Sequence, residues 1–326
     1  MSKSPASATK QWDLIIRPKT GWLDLHLADL WRYRDLTAMF VWRDFVAQYK
    51  QTILGPLWHI LQPLFTTLIF TVIFGKMAKL PTDGVPPLLF YLAGVTCWSY
   101  FADCVSRTSV TFISNAAIFG KVYFPRLSVP LSHVISSMIK FAIQLALFLA
   151  FLIFYWMQGA PVQPTAAIIL TPLLLLLMAG LSLGSGIIVS ALTTRYRDLQ
   201  QLVAFGVQLM MYATPVVYPL SMIGGGSFRW LILANPMTPI VETFRYAYLG
   251  SGTFDGIYLC YSAGFTLAVL FIGVVLFNHV ERTFMDTVYA ESGNRRWEMA
   301  DSRWQIGEAY DVRRFGSLAA GAAFGQ

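Results

Sequence analysis

Charge is scarce in this sequence. Only 13% of its 326 residues are Asp, Glu, Lys or Arg, and 56% are apolar. An ordinary soluble domain carries roughly 25% charged residues, so a soluble fold of this length is not expected. Cysteine is rarer still. Cys97, Cys104 and Cys260 fall in or near apolar blocks without zinc spacing or a disulfide framework, which argues against a metal site and redox chemistry. A phosphate-binding loop is missing, because the Gly75-Lys76 and Gly120-Lys121 pairs are followed by Met77 and Val122 where Ser or Thr is needed. Gly184-Ser185-Gly186 lies inside an apolar block and cannot be a dinucleotide loop. His59, His133 and His279 are dispersed, and Asp103 is the one clear acid within a block, which disfavours a membrane enzyme or a proton-coupled carrier. No apolar core occupies the first ten residues, so no cleavable signal peptide is expected and the first span would itself direct insertion.

Long uncharged blocks are what the sequence does have. Charge is absent from Gln51 to Gly75, Gly84 to Ala102, Phe141 to Thr194, Leu199 to Phe228 and Gly256 to Val280. A membrane span needs only about 20 such residues. The third block is long enough for two spans, and Gln158, Gly159, Ala160 and Pro161 divide it. The expected fold class is therefore an all-α membrane protein with six transmembrane helices, near 57–80, 88–113, 130–157, 165–192, 200–219 and 256–279. Barrel strands would need polar alternation that these blocks lack.

Six spans place both termini on one side together with the loops at 114–129 and 193–199. That side holds 18 of the 24 Lys and Arg residues, which by the positive-inside rule makes it the cytoplasm. The net charge of +7 is explained by this asymmetry and needs no nucleic-acid partner.

Residues 1–20 read as a polar arm. Over 21–50, Leu23, Leu27, Leu30, Tyr33, Leu36, Phe40 and Val41 recur at helical spacing among charges. The pattern suits an amphipathic helix on the inner membrane surface or a helix packed on a cytoplasmic partner. It leads into Leu54, Gly55 and Pro56, where Gly permits a tight reversal and Pro suits a first helical turn. Between the second and third spans only a short helix fits. Asp198 is positioned to cap the fifth span. The outer segment from Pro219 to Asp255 is apolar yet interrupted at Asn235 and Pro236, so two short re-entrant or interfacial helices are expected before the last span. Within the spans, Asp103 and Arg107 are four apart and can pair along one helix face, and Lys140 can snorkel or face a cavity. Gly180, Ser182, Gly184 and Gly186 provide small-residue surfaces for close helix approach. Aromatics make up 15% of the chain. Many stand at span ends, where belt anchoring accounts for them; the deeper ones serve either lipid-facing packing or stacking on sugar rings.

Together these features resemble the permease subunit of ABC-2 type polysaccharide exporters, the O-antigen, teichoic acid and capsule group. The resemblance covers about residues 20 to 288. It rests on Trp42-Arg43-Asp44-Phe45 running into Leu54-Gly55-Pro56-Leu57-Trp58, on Phe119-Gly120-Lys121 with Phe124-Pro125, on Arg195-Tyr196-Arg197-Asp198, and on Asn235-Pro236 with Glu242 and Arg245. What it implies is a type V exporter-like half-transporter in the bacterial inner membrane, two copies of which form a pore above two separate ABC ATPase subunits. ATP and Mg would belong to those subunits, with no cofactor and no catalytic residue in this chain. The cargo would be an undecaprenyl-diphosphate-linked polysaccharide. Leu54, Gly55 and Pro56 would form the cytoplasmic entrance turn. Phe119, Gly120, Lys121, Phe124, Pro125 and Arg126, with Arg195, Tyr196, Arg197 and Asp198, would couple to the ATPase. Pro219, Asn235, Pro236, Glu242 and Arg245 would form the outer gate, and Phe65, Phe70, Phe74, Tyr212 and Tyr218 would line the glycan conduit. Beyond about Val288 the resemblance stops, leaving a basic tail within 280–326 of unknown use.

Overall fold

The computed structural model describes residues 27–50, 52–119, 124–193, 198–224 and 226–280. The arm at 1–20, nearly all of the 280–326 tail, and the expected coupling residues Gly120, Lys121, Arg195, Tyr196 and Arg197 lie outside the described residues. Those described form helices and no strands, as an all-α reading requires.

The segment expected as one helix over 21–50 is described from Leu27 onward as two, α1 (Leu27–Arg32) and α2 (Arg34–Tyr49). At the turn that follows, Gly55 takes φ of +45°, the left-handed region that a side chain disfavours. Pro56 then opens α3 (Gly55–Met77), whose last turns widen into a π-helix over Thr71–Met77. Pro87 at the first position starts α4 (Pro87–Thr108). Two single turns, α5 (Thr111–Ser114) and α6 (Ala116–Phe119), precede α7 (Ser128–Met157). Then come α8 (Ala166–Thr193) and α9 (Leu199–Ala213). The outer element is α10 (Ser227–Leu233) and α11 (Met237–Leu249), broken at Asn235 and Pro236 as expected, and α12 (Gly256–Val280) follows it.

Five of these helices, α3, α4, α7, α8 and α12, are long and apolar enough to cross a membrane. The helix at the expected span 200–219 is shorter than expected. This helix, α9, has 15 residues, about 22 Å of rise against a hydrocarbon core of about 30 Å. It stops because Thr214 precedes Pro215, whose ring drives the preceding residue out of the helical region, and Thr214 is indeed extended at φ −101° and ψ 143°. Asp198 is corrected. It occupies the N-cap position of α9 in helical geometry and makes no side-chain capping bond; its carbonyl accepts from Gln201 and Leu202 instead.

Helix α4 is the centre of the bundle. In its apolar window 72% of residues are buried, against 22–33% for the other spans, and it packs against α3, α7, α8, α9 and α11. The small residues of α8 bring α12 and α4 close, as the sequence pattern predicts. A Cβ on Gly184 would stand 2.8 Å from the Leu270 backbone, one on Gly180 2.9 Å from Thr266, and one on Gly186 2.6 Å from Thr108.

A buried guanidinium closes the end expected to face outward. Arg245 on α11 is 0% exposed. It donates to the carbonyls of Pro215 and Val216 at 2.5 and 2.6 Å, pairs with Glu242 at 3.3 Å, and lies 3.7 Å from the centre of the Phe90 ring on α4. Gly94 leaves room for it, since a Cβ there would meet Arg245 at 2.8 Å and the Val216 carbonyl at 2.9 Å. The other Glu242 carboxylate oxygen accepts from the Thr253 amide at 3.1 Å. The loop after α7 joins the same end, with Gln163 and Thr165 amides donating to the carbonyls of Leu249 and Ala247.

Two substitutions test this packing by thermal unfolding of the purified chain in detergent. Gly184→Leu should destabilise by about 1–3 kcal/mol, the usual cost of overpacking, whereas Gly206→Ala on α9, which has open space around it, should be neutral or stabilising by up to about 1 kcal/mol. Equal melting temperatures for the two would contradict the close α8–α12 approach. Arg245→Met should cost about 3–5 kcal/mol by leaving Glu242 buried without its partner; unchanged melting would show that the guanidinium is not what holds the outer end.

Candidate functional site

Helix α2 lies along α7. Asp44 carries the tie, accepting from His133 Nδ1 at 2.8 Å and from Arg43 at 2.8 Å. Burial raises the Asp44 carboxyl, but its hydrogen bonds to His133 and Arg43 outweigh that and hold it below the ordinary carboxylate value. Phe40 anchors the same helix against Phe124, with ring centres 5.6 Å apart. Trp31, Met39 and Trp42 remain exposed, at 71%, 68% and 68%, and so are available to lipid or a partner. The entrance turn Leu54, Gly55, Pro56 therefore follows a helix that is already fixed to the bundle. Leu54 and Pro56 are exposed and Gly55 half-buried.

Above that turn, α3, α4 and α7 enclose a cavity of about 510 Å³. Its wall on α4 runs from Val95 to Arg107, about 18 Å along the helix axis. Three charges meet there. Lys140 Nζ bonds both Asp103 oxygens at 2.9 and 3.0 Å, Ser137 donates to Asp103 at 2.5 Å, and Arg107 Nε lies 3.4 Å from the same carboxylate. Arg107 also donates to Gln48 at the end of α2 at 3.3 Å, which links the charged group to the entrance turn. Of the two readings of Lys140, the cavity-facing one holds. Sequence reasoning did find the Asp103–Arg107 pair, but it missed Lys140 as the closer partner and missed Gln48, His59, Gln62 and Gln144 as lining. The remaining signal was that an intramembrane acid and an intramembrane lysine each needed a partner.

Of the expected coupling residues that are described, Asp198 is exposed and Pro125 half-buried, whereas three point inward. Phe119, Phe124 and Arg126 are buried at 1%, 6% and 7%. Phe119 and Phe124 pack in a second core with Phe40, Phe112 and Phe277, and the Arg126 guanidinium sits 5.5 Å from the Phe119 ring centre. Pro125 lies between them in non-helical backbone. The described part of this loop is thus joined to α2 and α12 through its aromatic rings.

At the outer end, the expected gate residues are brought together. Asn235 donates to Thr214 at 2.8 Å and accepts from the Met237 amide at 3.0 Å, so it bridges the end of α9 and the start of α11. The Pro236 carbonyl accepts from Ser262 on α12 at 2.6 Å. Pro219 opens the short turn Leu220–Met222, and Ser221 reaches Asp83 between α3 and α4 at 2.7 Å.

The expected conduit aromatics divide. Phe65 and Tyr212 are exposed at 55% and 47%. Tyr218 is half-buried and donates to the Tyr212 carbonyl at 3.1 Å. Phe74 is half-buried against the core. Phe70 is 8% exposed and packs edge-on against Phe74 and Tyr91.

Known proteins with this sequence pattern are membrane transport subunits. A family model described as "ABC-2 type transporter" matches residues 36–249. The chain is 30% identical over 260 residues to the Klebsiella pneumoniae "O-antigen export system permease protein RfbA", covering 77% of this chain and 94% of that one. It is 27% identical over 261 residues to the Myxococcus xanthus protein of the same name, covering 80% and 98%. It is 26% identical over 251 residues to the Escherichia coli "Polysialic acid transport protein KpsM", covering 76% and 94%. With two thirds of its length inside the family model and nearly the whole of each relative aligned, this chain belongs to the ABC-2 type transporter family.

Proposed function

We propose that this chain is the transmembrane subunit of an ATP-driven ABC transporter that exports an undecaprenyl-diphosphate-linked polysaccharide, an O-antigen, across the bacterial cytoplasmic membrane. The observation that carries the reading from the structure is the cavity above the entrance turn, with amides, hydroxyls and charged groups inside a bundle of apolar spans. A wall of that chemistry suits a hydroxyl-rich cargo and opposes a small hydrophobic one. The printed names of the relatives support the same class. The polysialic acid transport relative makes capsule polysaccharide the second reading, ahead of teichoic acid and of a small lipid or drug.

In this proposal two copies of the chain form the pore, both termini lie in the cytoplasm, and α2 lies at the inner membrane surface. Two ABC ATPase subunits bind ATP and Mg and dock beneath. The chain hydrolyses nothing itself. The loop holding Phe119, Gly120, Lys121, Phe124, Pro125 and Arg126 and the loop holding Arg195, Tyr196, Arg197 and Asp198 receive the ATPase motion. Buried Phe119 and Phe124 pass it to α2 and α12 through their ring contacts. Leu54, Gly55 and Pro56 open the entrance. The outer element held by Asn235, Pro236, Glu242 and Arg245 closes the exit, and Phe65 and Tyr212 are the conduit aromatics with faces free to meet a glycan.

Deletion of the gene should trap lipid-linked glycan inside the cell and remove it from the surface, read by gel analysis of surface polysaccharide and by extraction of the inner-membrane lipid pool. Normal surface glycan in the deletion strain would overturn the proposal. A strain that loses capsule but keeps O-antigen would select the second reading.

A further inference from the structure

We infer that the cavity between α3, α4 and α7 is a binding site for a phosphorylated sugar, with the phosphate held by Arg107 and Lys140 and the sugar ring against Gln144 and Gln62. The inference rests on the exporter reading above and specifies which part of the cargo this chain grips first.

Charge supplies the first argument. The walls carry two fixed cations, Arg107 and Lys140, against the single carboxylate of Asp103. Asp103 takes two of the Lys140 ammonium protons and one Arg107 contact. One positive charge is left over in a partly enclosed, low-dielectric space, where an anion is attracted far more strongly than in water. Guanidinium and ammonium groups side by side match phosphate oxygens in geometry as well as charge.

Unpartnered polar atoms supply the second. Gln144 is 7% exposed and its amide oxygen has no hydrogen-bond partner, and His59 Nε2 is likewise buried without one. Both residues line the cavity. Pro63 adds to the demand, since it has no amide to return to the carbonyl four residues earlier, that of His59. Buried polar groups left unpaired are costly and signal a missing partner. The carboxamides of Gln48, Gln62 and Gln144 in the same lining supply both donors and acceptors for sugar hydroxyls.

Placement supplies the third and favours a lipid-linked source over free sugar phosphate. Arg107 and Asp103 lie within the last turns of α4, beside Gln48 of α2, at the end of the bundle that α2 and the turn at Gly55 also occupy. The α3 wall is built from His59, Gln62 and Thr66 on one helical face. Next to that face, Phe65, Leu68 and Ile69 are exposed at 55%, 41% and 54%, an apolar track on which a polyprenyl chain can lie while its headgroup enters the cavity.

Two variants keep the fold out of question. Arg107→Gln removes the surplus charge but leaves Asp103 bonded to Lys140 and Ser137, and Gln144→Leu removes a buried amide whose oxygen is already unpaired. The full-length chain in lipid nanodiscs is titrated with undecaprenyl-diphosphate N-acetylglucosamine, with binding read by tryptophan fluorescence. Undecaprenol, inorganic diphosphate and methyl N-acetylglucosaminide are the comparison probes. The intact lipid-linked sugar should bind at least tenfold tighter than any of the three fragments. Each variant should weaken it about tenfold, as loss of a charge-assisted or polar contact does, with melting temperature unchanged or raised for Gln144→Leu. Equal binding of undecaprenol would overturn the site by reducing it to chain burial. Inorganic diphosphate matching the full probe would overturn its sugar half. Unchanged binding in both variants, with both restoring surface glycan fully in a deletion strain that lacks it, would refute the cavity assignment alone; a deletion strain with normal surface glycan would refute the exporter reading instead.

Discussion

Much of this fold depends on how the backbone carbonyls of the non-helical stretch after α9 are satisfied. A helix that stops at a proline inside an apolar bundle leaves carbonyl groups without amide partners, and in a medium without water each one is expensive. Arg245 answers two of them at once, at Pro215 and Val216. Its own charge is then met by Glu242 and by the face of Phe90. Because the guanidinium sits on α11, the carbonyls follow α9 and the ring belongs to α4, three elements are fixed by one side chain. Gly94 is tolerated in the middle of α4 for the same reason, since any side chain there would occupy the space of the guanidinium and of Val216.

With the outer end held in this way, the opposite end can be more open. There the elements meet through a few polar ties, Asp44 with His133, Arg107 with Gln48, and Asp103 with Lys140. Between these ties lies a cavity instead of a packed core. The asymmetry suits a transport subunit. One end is closed by a fully buried ion pair and main-chain hydrogen bonds, while the other combines partly buried charged pairs with a turn at Gly55 in the left-handed region. Faces of α3 and α12 remain apolar and uncovered within the chain, which is the surface that lipid or a second copy would cover in the proposed dimer.

Motion would reach the entrance through packing more than through polar contacts. Phe124 touches both Phe40 on α2 and Phe119, and Phe119 touches Phe112, which stacks on Phe277 of α12 at 4.6 Å. In the proposed coupling, a displacement of the loop holding Phe119 and Phe124 would move α2 and α12 together, because close-packed rings shift as a body.

The sequence by itself determined the class, the positions of the five long spans, the reversal at Gly55, the break at Asn235 and Pro236, and the small-residue face of α8. Each of these is written locally: a run of apolar residues, a proline, or a glycine acts on its own neighbourhood regardless of what packs nearby. The length of α9 was misjudged although Pro215 was in plain view, because an uncharged run extends past the point where the backbone can stay helical. Only the tertiary structure decided the pairing of Lys140 with Asp103, the tie from Asp44 to His133, the inward packing of Phe70, Phe119 and Phe124, and the existence of the cavity. Helical periodicity says which residues share a face. It does not say how far each helix is rotated or raised against its neighbours, and that rotation and height choose the partner of every long-range charge and ring.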